Sequence, residues 1–181
     1  MSPPLVVVGG PPGSGKTTAA RALAARLGLE YLSAGARFRA LAQEKGMDLG
    51  EFSRYAAHHP EVDRELDDYM LGFARPGWLL DSRLAGPLAR RRRIPVIYLV
   101  VTASDSVRAK RLAGRDALPV PAARRAMVAR ERSEEGRYRA LYGIDLAREA
   151  PDLSIDSSHL SPAEVVDRLA DFIRRHATPT P

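Results

Sequence analysis

Cysteine is absent from the 181 residues of the chain, and its absence excludes several kinds of chemistry. Disulfide bonds, zinc sites built on thiolates and cysteine nucleophiles all need this side chain, so none of them belongs to the chain. A reducing compartment is therefore permitted. The first four residues contain no basic region followed by an apolar signal core, which favours a cytoplasmic location.

Long hydrophobic runs are also missing. The longest apolar run, residues 94–101, has eight residues, whereas a helix that crosses a bilayer needs about 20. We interpret this run as a buried strand and expect no membrane partner.

Lysine is scarce, so the positive charge of the chain is carried almost entirely by arginine. Of the 28 basic residues only Lys16, Lys45 and Lys110 are lysines, and with 22 acidic residues the formal net charge is +6. Arginine forks bind phosphate oxygens two at a time, which favours phosphate ligands. A compositional bias of the genome is the alternative explanation for the arginines as a population, so each arginine needs its own argument.

The length of the chain predicts one compact domain over residues 1–181. Short apolar segments at residues 5–9, 29–32, 78–81, 94–101 and 153–155 alternate with longer polar stretches of helical character. Alternation of this kind favours a parallel sheet with helices on both of its faces. The prediction is an α/β protein with a five-stranded parallel sheet.

Two predicted helices have clear end signals. Residues 17–27 place apolar side chains three and four apart, and Gly28 follows where that helix would end. The last helix starts after Ser161, which forms a capping box with Glu164 and is followed by Pro162. Its apolar stripe predicts packing on the sheet. A frayed tail is expected at residues 177–181.

A glycine-rich loop joins the first predicted strand to the first predicted helix. It matches the pattern G-x-x-x-x-G-K-[ST] at every fixed position, with the residues Gly10, Pro11, Pro12, Gly13, Ser14, Gly15, Lys16 and Thr17. In this context backbone N–H groups turn inward around phosphate oxygens, and the positive end of the helix dipole adds to them. We predict that these residues, together with Thr18, bind ATP.

Two side chains of the loop have specific expected roles. Lys16 would bridge the β- and γ-phosphates, and Thr17 would place its hydroxyl on Mg²⁺, which bridges the same phosphates. The alternative is a structural turn with a solvated lysine. Kinases, GTPases and motor ATPases share this loop, so the acceptor must be identified from other residues.

Further polar segments follow the second and third predicted strands, at residues 33–39 and 81–86. In a doubly wound sheet both lie at the carboxyl ends of strands, where ligands collect. Arg39 and Arg83 could there clamp one phosphate between them.

These segments resemble a known family. Residues 33–39 resemble the segment that opens the monophosphate-binding region of nucleoside monophosphate kinases, and residues 78–83 resemble their strand that ends in an acidic residue and a phosphate-binding arginine. More narrowly, three segments resemble the archaeal type of cytidylate kinase: Ser33-Ala34-Gly35, Asp81-Ser82-Arg83-Leu84-Ala85-Gly86 and Tyr142-Gly143-Ile144-Asp145. The resemblance covers nearly the whole chain.

The resemblance implies both an architecture and a reaction. The architecture is a P-loop NTPase fold with a helical monophosphate-binding flap at residues 38–72 and a lid at residues 111–140. The reaction is ATP + CMP ⇌ ADP + CDP with Mg²⁺, by direct in-line transfer, with dCMP as a second acceptor. The implied partners are small molecules, and a monomer is expected.

The resemblance also assigns roles on the acceptor side. Ser33, Arg39 and Arg83 would bind the acceptor, the two arginines holding its phosphate, while Asp81 would organise the water shell of Mg²⁺. From the residues alone, Arg39 could be a solvated helical arginine, and Asp81 could simply pair with a neighbouring arginine.

Arginines of two later helical stretches complete the implied site. Arg111 and Arg115 are four residues apart, hence on one helical face, and resemble arginines that stack on adenine and contact ATP phosphates. A solvated basic face is the alternative. Arg130 and Arg137 resemble lid arginines that close over both phosphate groups. The implied catalytic residues, which stabilise charge in the transition state, are Lys16, Arg83, Arg130 and Arg137.

One departure concerns the acceptor base. Bacterial cytidylate kinases usually have Asp-Ser-Gly where this chain has Ser33-Ala34-Gly35, so Ala34 replaces the serine that would meet the base. Cytosine recognition therefore does not transfer from the bacterial pattern.

Two alternative functions stay open: a kinase of AMP, UMP or a shikimate-like acceptor on the same scaffold, and a P-loop RNA-binding or regulatory protein.

Two further groups are assigned no ligand. His58 and His59 precede Pro60 without metal-ligand spacing, so we predict no metal there. The arginine run at residues 90–93 could touch nucleic acid, but at the end of a helix it is typical of a solvated terminus. Nucleic acid is therefore not expected as a partner.

Overall fold

The sheet is the centre of the molecule. The computed structural model describes residues 4–176, so the first three residues and the tail expected at residues 177–181 lie outside it. Within the described part, one sheet is formed by β1 (Val6–Gly9), β2 (Glu30–Ser33), β3 (Trp78–Asp81), β4 (Ile97–Thr102) and β5 (Leu153–Asp156). All four pairings are parallel and the strand order is β2-β3-β1-β4-β5. The predicted five-stranded parallel sheet is confirmed.

The fourth strand begins later than predicted. Ile94 N–H bonds to the Ala89 carbonyl of the preceding helix, and Pro95 has no N–H to offer a strand partner. Regular pairing therefore starts at Ile97.

Alternate residues of β1 enter two separate cores. Val6 and Val8 pack with α1 (Lys16–Leu27) and α8 (Pro162–His176) on one face of the sheet. Val7 packs on the other face with α4 (Pro60–Gly72) and α5 (Ala85–Arg91). Successive strand residues point to opposite faces, so a continuous β-branched run is what a strand buried on both faces requires. The predicted helices on both faces are confirmed.

The remaining helices form two groups. They are α2 (Ala34–Glu44), α3 (Leu49–His58), α6 (Asp105–Asp116) and α7 (Val120–Tyr142), and a 3₁₀ turn follows at Leu146–Arg148. Helices α2 to α4 cover the expected flap and share a small core of Leu41, Ala42, Phe52, Ala56 and Val62. Helices α6 and α7 cover the expected lid and pack through Leu112, Ala113, Ala123 and Met127.

The predicted helix ends are found in the structure. The Glu164 N–H donates to Ser161 Oγ at 3.3 Å, and Ser161 N–H donates to the Glu164 carboxylate at 2.7 Å. The stripe of α8 is buried at Val165 and Leu169. Gly28 ends α1 in the left-handed conformation, with φ of 64°. Among residues 4–176 no helix is long and apolar enough to cross a membrane.

Candidate active site

The glycine-rich loop joins β1 to α1 at the carboxyl edge of the sheet. Gly10 has φ of +141°, and a Cβ at this position would lie 2.1 Å from the Val101 carbonyl oxygen of β4, so only glycine fits. Helix α1 begins at Lys16, directly after Gly15. The loop therefore ends on a helix N-terminus, where the dipole and free N–H groups favour an anion.

Lys16 and Thr17 meet an acidic residue of β3. The register of β1 and β3 places Val8 opposite Asp81, which brings this carboxylate beside the loop. Lys16 Nζ lies 3.4 Å from Asp81 Oδ1, and Thr17 Oγ1 donates to Asp81 Oδ2 at 2.7 Å. Asp81 is 2% exposed. The sequence-based alternative, an ion pair of Asp81 with an arginine, is not what the structure contains.

The oxygen atoms around Asp81 suit magnesium. Asp81 Oδ1 is buried and accepts no hydrogen bond from any residue in the range 4–176. Mg²⁺ prefers hydroxyl and carboxylate oxygens and usually takes its other ligands from water and substrate phosphates. Thr17 Oγ1 and the Asp81 carboxylate fit that donor set, so Thr17 could bind the ion directly and Asp81 through water.

Tyr31 also belongs to this group, although the sequence analysis missed it. Its hydroxyl donates to Asp81 Oδ2 at 2.9 Å. Burial, and then the Asp81 charge, raise the pKa of Tyr31 above its ordinary value. Tyr31 precedes Ser33 by two residues on β2, and residues two apart on a strand face the same side. That spacing was the available signal, because Ser33 pairs with Asp81 across β2 and β3.

The start of α2 forms one wall of the predicted acceptor side. Ser33 caps the helix by accepting the Ala36 N–H at 3.2 Å, and its hydroxyl lies 3.4 Å from Asp81 Oδ2. Arg39 is exposed one turn into the helix, and its Nη1 lies 3.5 Å from the point where a Cβ on Gly35 would be. Arg39 makes no ion pair with any other residue in the range 4–176. Its guanidinium is therefore available to a ligand.

Arg83 and Arg130 share one buried carboxylate. Arg83 Nη1 and Arg130 Nε each donate to Glu134 at 2.6 Å, one to each of its oxygens. Burial opposes ionisation of Glu134, yet the two arginines together hold its pKa below the ordinary value. Arg83 Nε is buried and has no hydrogen-bond partner among the described residues. The pair thus keeps donors in reserve for an anion.

Arg137 lies on α7 about one helical turn after Glu134 and is held by other residues. Its Nε donates to Asp63 Oδ2 of α4 at 2.6 Å, and its Nη1 donates to Ser133 Oγ at 2.7 Å. Burial raises the pKa of Asp63, and Arg137 opposes that rise. The expected flap and lid therefore meet at a buried ion pair.

Tyr142 forms a second contact between the same two helices. Its hydroxyl donates to Asp67 at 2.9 Å. Burial raises the pKa of Asp67 to about 7, the Asp63 charge adds to this, and the Tyr142 hydrogen bond opposes it. Tyr142 belongs to the motif Tyr142-Gly143-Ile144-Asp145, whose Ile144 is buried beside it.

The two arginines of α6 lie in different surroundings. Arg111 Nη1 donates to the Ser14 carbonyl of the loop at 3.1 Å, and its Nη2 donates to the Ser157 carbonyl at 2.9 Å. Arg115 instead pairs with its neighbour Asp116 at 2.7 and 2.8 Å. The structure therefore brings Arg111 to the phosphate loop and leaves Arg115 at the end of α6.

Arg108 is the buried arginine that the sequence analysis passed over. It donates to the Pro12 carbonyl at 3.1 Å and to Glu131 of α7 at 2.7 Å, and it is 6% exposed. It shares a helical face with Leu112, four residues on, and this apolar neighbour was the signal that could have revealed it. Arg108 ties the phosphate loop to both helices of the expected lid region.

The arginine run at residues 90–93 lies at the end of α5 and is exposed at Arg91, Arg92 and Arg93, as predicted. Arg90 pairs with Asp152 at 2.6 Å, Arg91 with Glu149 at 3.3 Å and Arg92 with Asp68 at 2.9 Å. The run thus binds acidic side chains of its own chain. His59 Nδ1 lies 2.8 Å from Glu61, and no group of three or more potential metal-ligating side chains occurs within residues 4–176.

Comparisons with known proteins identify relatives of this chain. A family model described as "AAA domain" matches residues 6–136. A cytidylate kinase of Ignicoccus hospitalis is 40% identical over 167 residues, covering 91% of this chain and 96% of that protein. A cytidylate kinase of Pyrobaculum calidifontis is 42% identical over 171 residues, covering 93% and 92%.

A solved structure supports the fold alone. The shikimate kinase of Bacteroides thetaiotaomicron is 13% identical with a TM-score of 0.62, and the match covers 94% of this chain and 98% of that one. The P-loop kinase fold is thus shared beyond the sequence relatives. Since curated relatives at about 40% identity span nearly the whole chain, the chain belongs to the cytidylate kinase family.

Proposed function

We propose that this chain transfers the terminal phosphoryl group of ATP to CMP, forming ADP and CDP, with dCMP as a second acceptor. One observation carries the proposal: a phosphate loop, an acidic residue and an arginine clamp converge at one edge of the sheet in a chain whose relatives are named cytidylate kinases. The name of these relatives is the reason for choosing CMP as the acceptor, and the geometry of the site supports phosphoryl transfer from ATP.

The donor side would bind the ATP phosphates through the loop. Backbone N–H groups of residues 13–18, at the N-terminus of α1, would hold the β- and γ-phosphates, with Lys16 adding a positive charge. Arg111, already bonded to the loop carbonyl of Ser14, would contact ATP from the side of α6. Arg115 would have to leave Asp116 to stack on adenine.

The acceptor side would hold the monophosphate between Arg39 and Arg83, beside Ser33. Arg130 and Arg137 would close over the phosphates from α7. Charge on the transferred phosphoryl group is spread over its oxygens, so a ring of preorganised cations lowers the barrier more than any covalent step. Transfer would be direct, without a covalent enzyme intermediate.

Mg²⁺ fits the same scheme. When bound, it would offset phosphate charge near Thr17 and the Asp81 carboxylate. A monomeric state and a cytoplasmic location remain predictions.

An acceptor panel tests the proposed function. ADP formation is measured with ATP and Mg²⁺ and with CMP, dCMP, UMP, AMP, GMP or shikimate in parallel, and a reaction without acceptor measures background hydrolysis. We expect the highest kcat/KM with CMP, followed by dCMP.

Each other outcome has a distinct meaning. Turnover with a different acceptor alone would keep the phosphoryl-transfer chemistry and overturn the choice of CMP. ADP formation that no acceptor increases would contradict a kinase, and salt-sensitive RNA binding in that case would favour the non-enzymatic alternative.

A further inference from the structure

Three of the arginines assigned to the phosphates, Arg83, Arg130 and Arg137, are held by acidic residues, and the two that lie on α7 are held by acids of different helices. Glu134, which binds Arg83 and Arg130, lies on α7 itself. Asp63, which binds Arg137, lies on α4 of the expected flap. The orientation of Arg137 thus depends on where the flap sits.

The contacts of Arg137 leave one edge of its guanidinium open. Nε donates to Asp63 at 2.6 Å and Nη1 donates to Ser133 Oγ at 2.7 Å. Nη2 makes no hydrogen bond with any residue in the range 4–176. The guanidinium group is planar, so hydrogen bonds to two of its nitrogens fix its orientation. The direction in which Nη2 points is therefore fixed as well.

Stability alone gives a poor explanation for this ion pair. The side chains of Arg137 and Asp63 are 11% and 5% exposed. Buried ion pairs can often be replaced by apolar residues without loss of stability, because taking both charges out of water costs about as much as their attraction returns. Helix α4 nevertheless buries a second acid, Asp67, one turn along and against Tyr142. Both buried acids of α4 face α7.

We propose that Asp63 is a positioning residue: it aims Arg137 at the transferred phosphates and joins the acceptor flap to the lid. The proposal rests on the proposed function. An acceptor that moves α4 would then move Arg137 with it, and a lid that closes would draw α4 along.

A double-mutant cycle tests this proposal. Asp63→Asn keeps the shape of the side chain and removes its charge, so Arg137 loses its fixed direction. We expect kcat/KM for CMP to fall by about 10²-fold, which is the typical effect of misplacing a catalytic group by about 1 Å, and KM for CMP to rise. In the Arg137→Ala background, Asp63→Asn should have no further effect, because Asp63 acts through Arg137.

Two further variants separate positioning from folding. Asp68→Asn makes the same substitution on the same helix, but Asp68 is exposed and binds Arg92, so kcat and KM should stay within about twofold of the unmodified protein. Asp63→Glu retains the charge and should recover part of the loss. KM reports only on folded, active molecules, so a mere loss of folded protein would lower the apparent kcat and leave KM unchanged.

The possible results are distinguishable. If the effects of Asp63→Asn and Arg137→Ala on kcat/KM multiply, Asp63 does not act through Arg137 and the proposal is wrong. An unchanged KM for CMP in Asp63→Asn would overturn it as well. A wild-type protein without CMP-dependent ADP formation would overturn the proposed function, and this inference with it.

Discussion

At the scale of single residues, the site is a set of charges that neutralise one another. Lys16 faces Asp81, Arg83 and Arg130 share Glu134, and Arg137 faces Asp63. Each cationic side chain is held in position by a carboxylate, and each has further N–H donors that this carboxylate does not bind. A phosphate entering this cluster would exchange one anionic partner for another.

Lys16 gives the most direct test at this scale. Lys16→Ala should lower kcat by about 10²–10³-fold, the usual effect of removing one preorganised donor to developing charge. Steady-state ADP formation with CMP measures it. Lys110→Ala removes an exposed lysine of α6 and should leave kcat unchanged. A Lys16→Ala variant that retained most of its turnover would contradict the role given to the loop.

Asp67 gives a pH-dependent prediction. Its pKa is about 7 in the folded protein and about 4 when unfolded, so the folded state holds a proton that the unfolded state releases between these values. The free energy of unfolding therefore falls as the pH rises from about 4 to about 7.

Asp67→Asn removes the loss of unfolding free energy that ionisation of Asp67 causes at higher pH. The asparagine keeps an oxygen that can accept the hydrogen bond of the Tyr142 hydroxyl. Urea unfolding should show a larger stabilisation by the substitution at pH 8 than at pH 5, whereas exposed Asp68→Asn should show the same small effect at both. An Asp67→Asn variant whose effect did not depend on pH would contradict the raised pKa.

At the scale of secondary structure, helix α5 lies unusually close to the sheet. A Cβ on Gly86 would lie 2.2 Å from Cδ2 of the Tyr98 ring, and Tyr98 is 4% exposed. The glycine in the motif Asp81-Ser82-Arg83-Leu84-Ala85-Gly86 therefore has a packing role.

A matched pair of substitutions tests that role. Gly86→Ala should lower the free energy of unfolding by about 1–3 kcal/mol, because the buried ring cannot move away without strain. Gly114→Ala, also within a helix but with nothing within 4 Å of its added Cβ, should raise it by up to about 1 kcal/mol. Urea unfolding of both variants should show changes of opposite sign in the free energy of unfolding. Equal changes would contradict the close approach of Gly86 to the Tyr98 ring.

At the scale of the whole molecule, ligand binding should stabilise the fold in two separable steps. A ligand at 100 times its Kd adds about 2.7 kcal/mol to the free energy of unfolding. We expect ATP alone to raise the melting temperature through the loop and Mg²⁺ to raise it further. Asp81→Asn should lose the increment from Mg²⁺ and keep that from ATP; loss of both, or of neither, would contradict the place given to the metal.

The sequence was a good guide to the framework and a partial guide to the site. Hydrophobic periodicity and capping residues predicted the strands and the ends of α1 and α8, because these depend on neighbours in the chain. The motif predicted the phosphate loop in the same way. The partners of long arginine side chains were not predictable, since Arg137 and Asp63 are 74 residues apart in the sequence and meet only where the fold brings α4 and α7 together.

The strand order has a consequence for the growing chain. β1 pairs with β3 at residues 78–81 and with β4 at residues 97–102, so its second edge stays without a partner until more than half of the protein has been made. Parallel pairing between distant segments is intrinsically slow, and unpaired apolar strands invite association with other chains. During synthesis the most buried strand of the finished enzyme is therefore the segment most in need of protection.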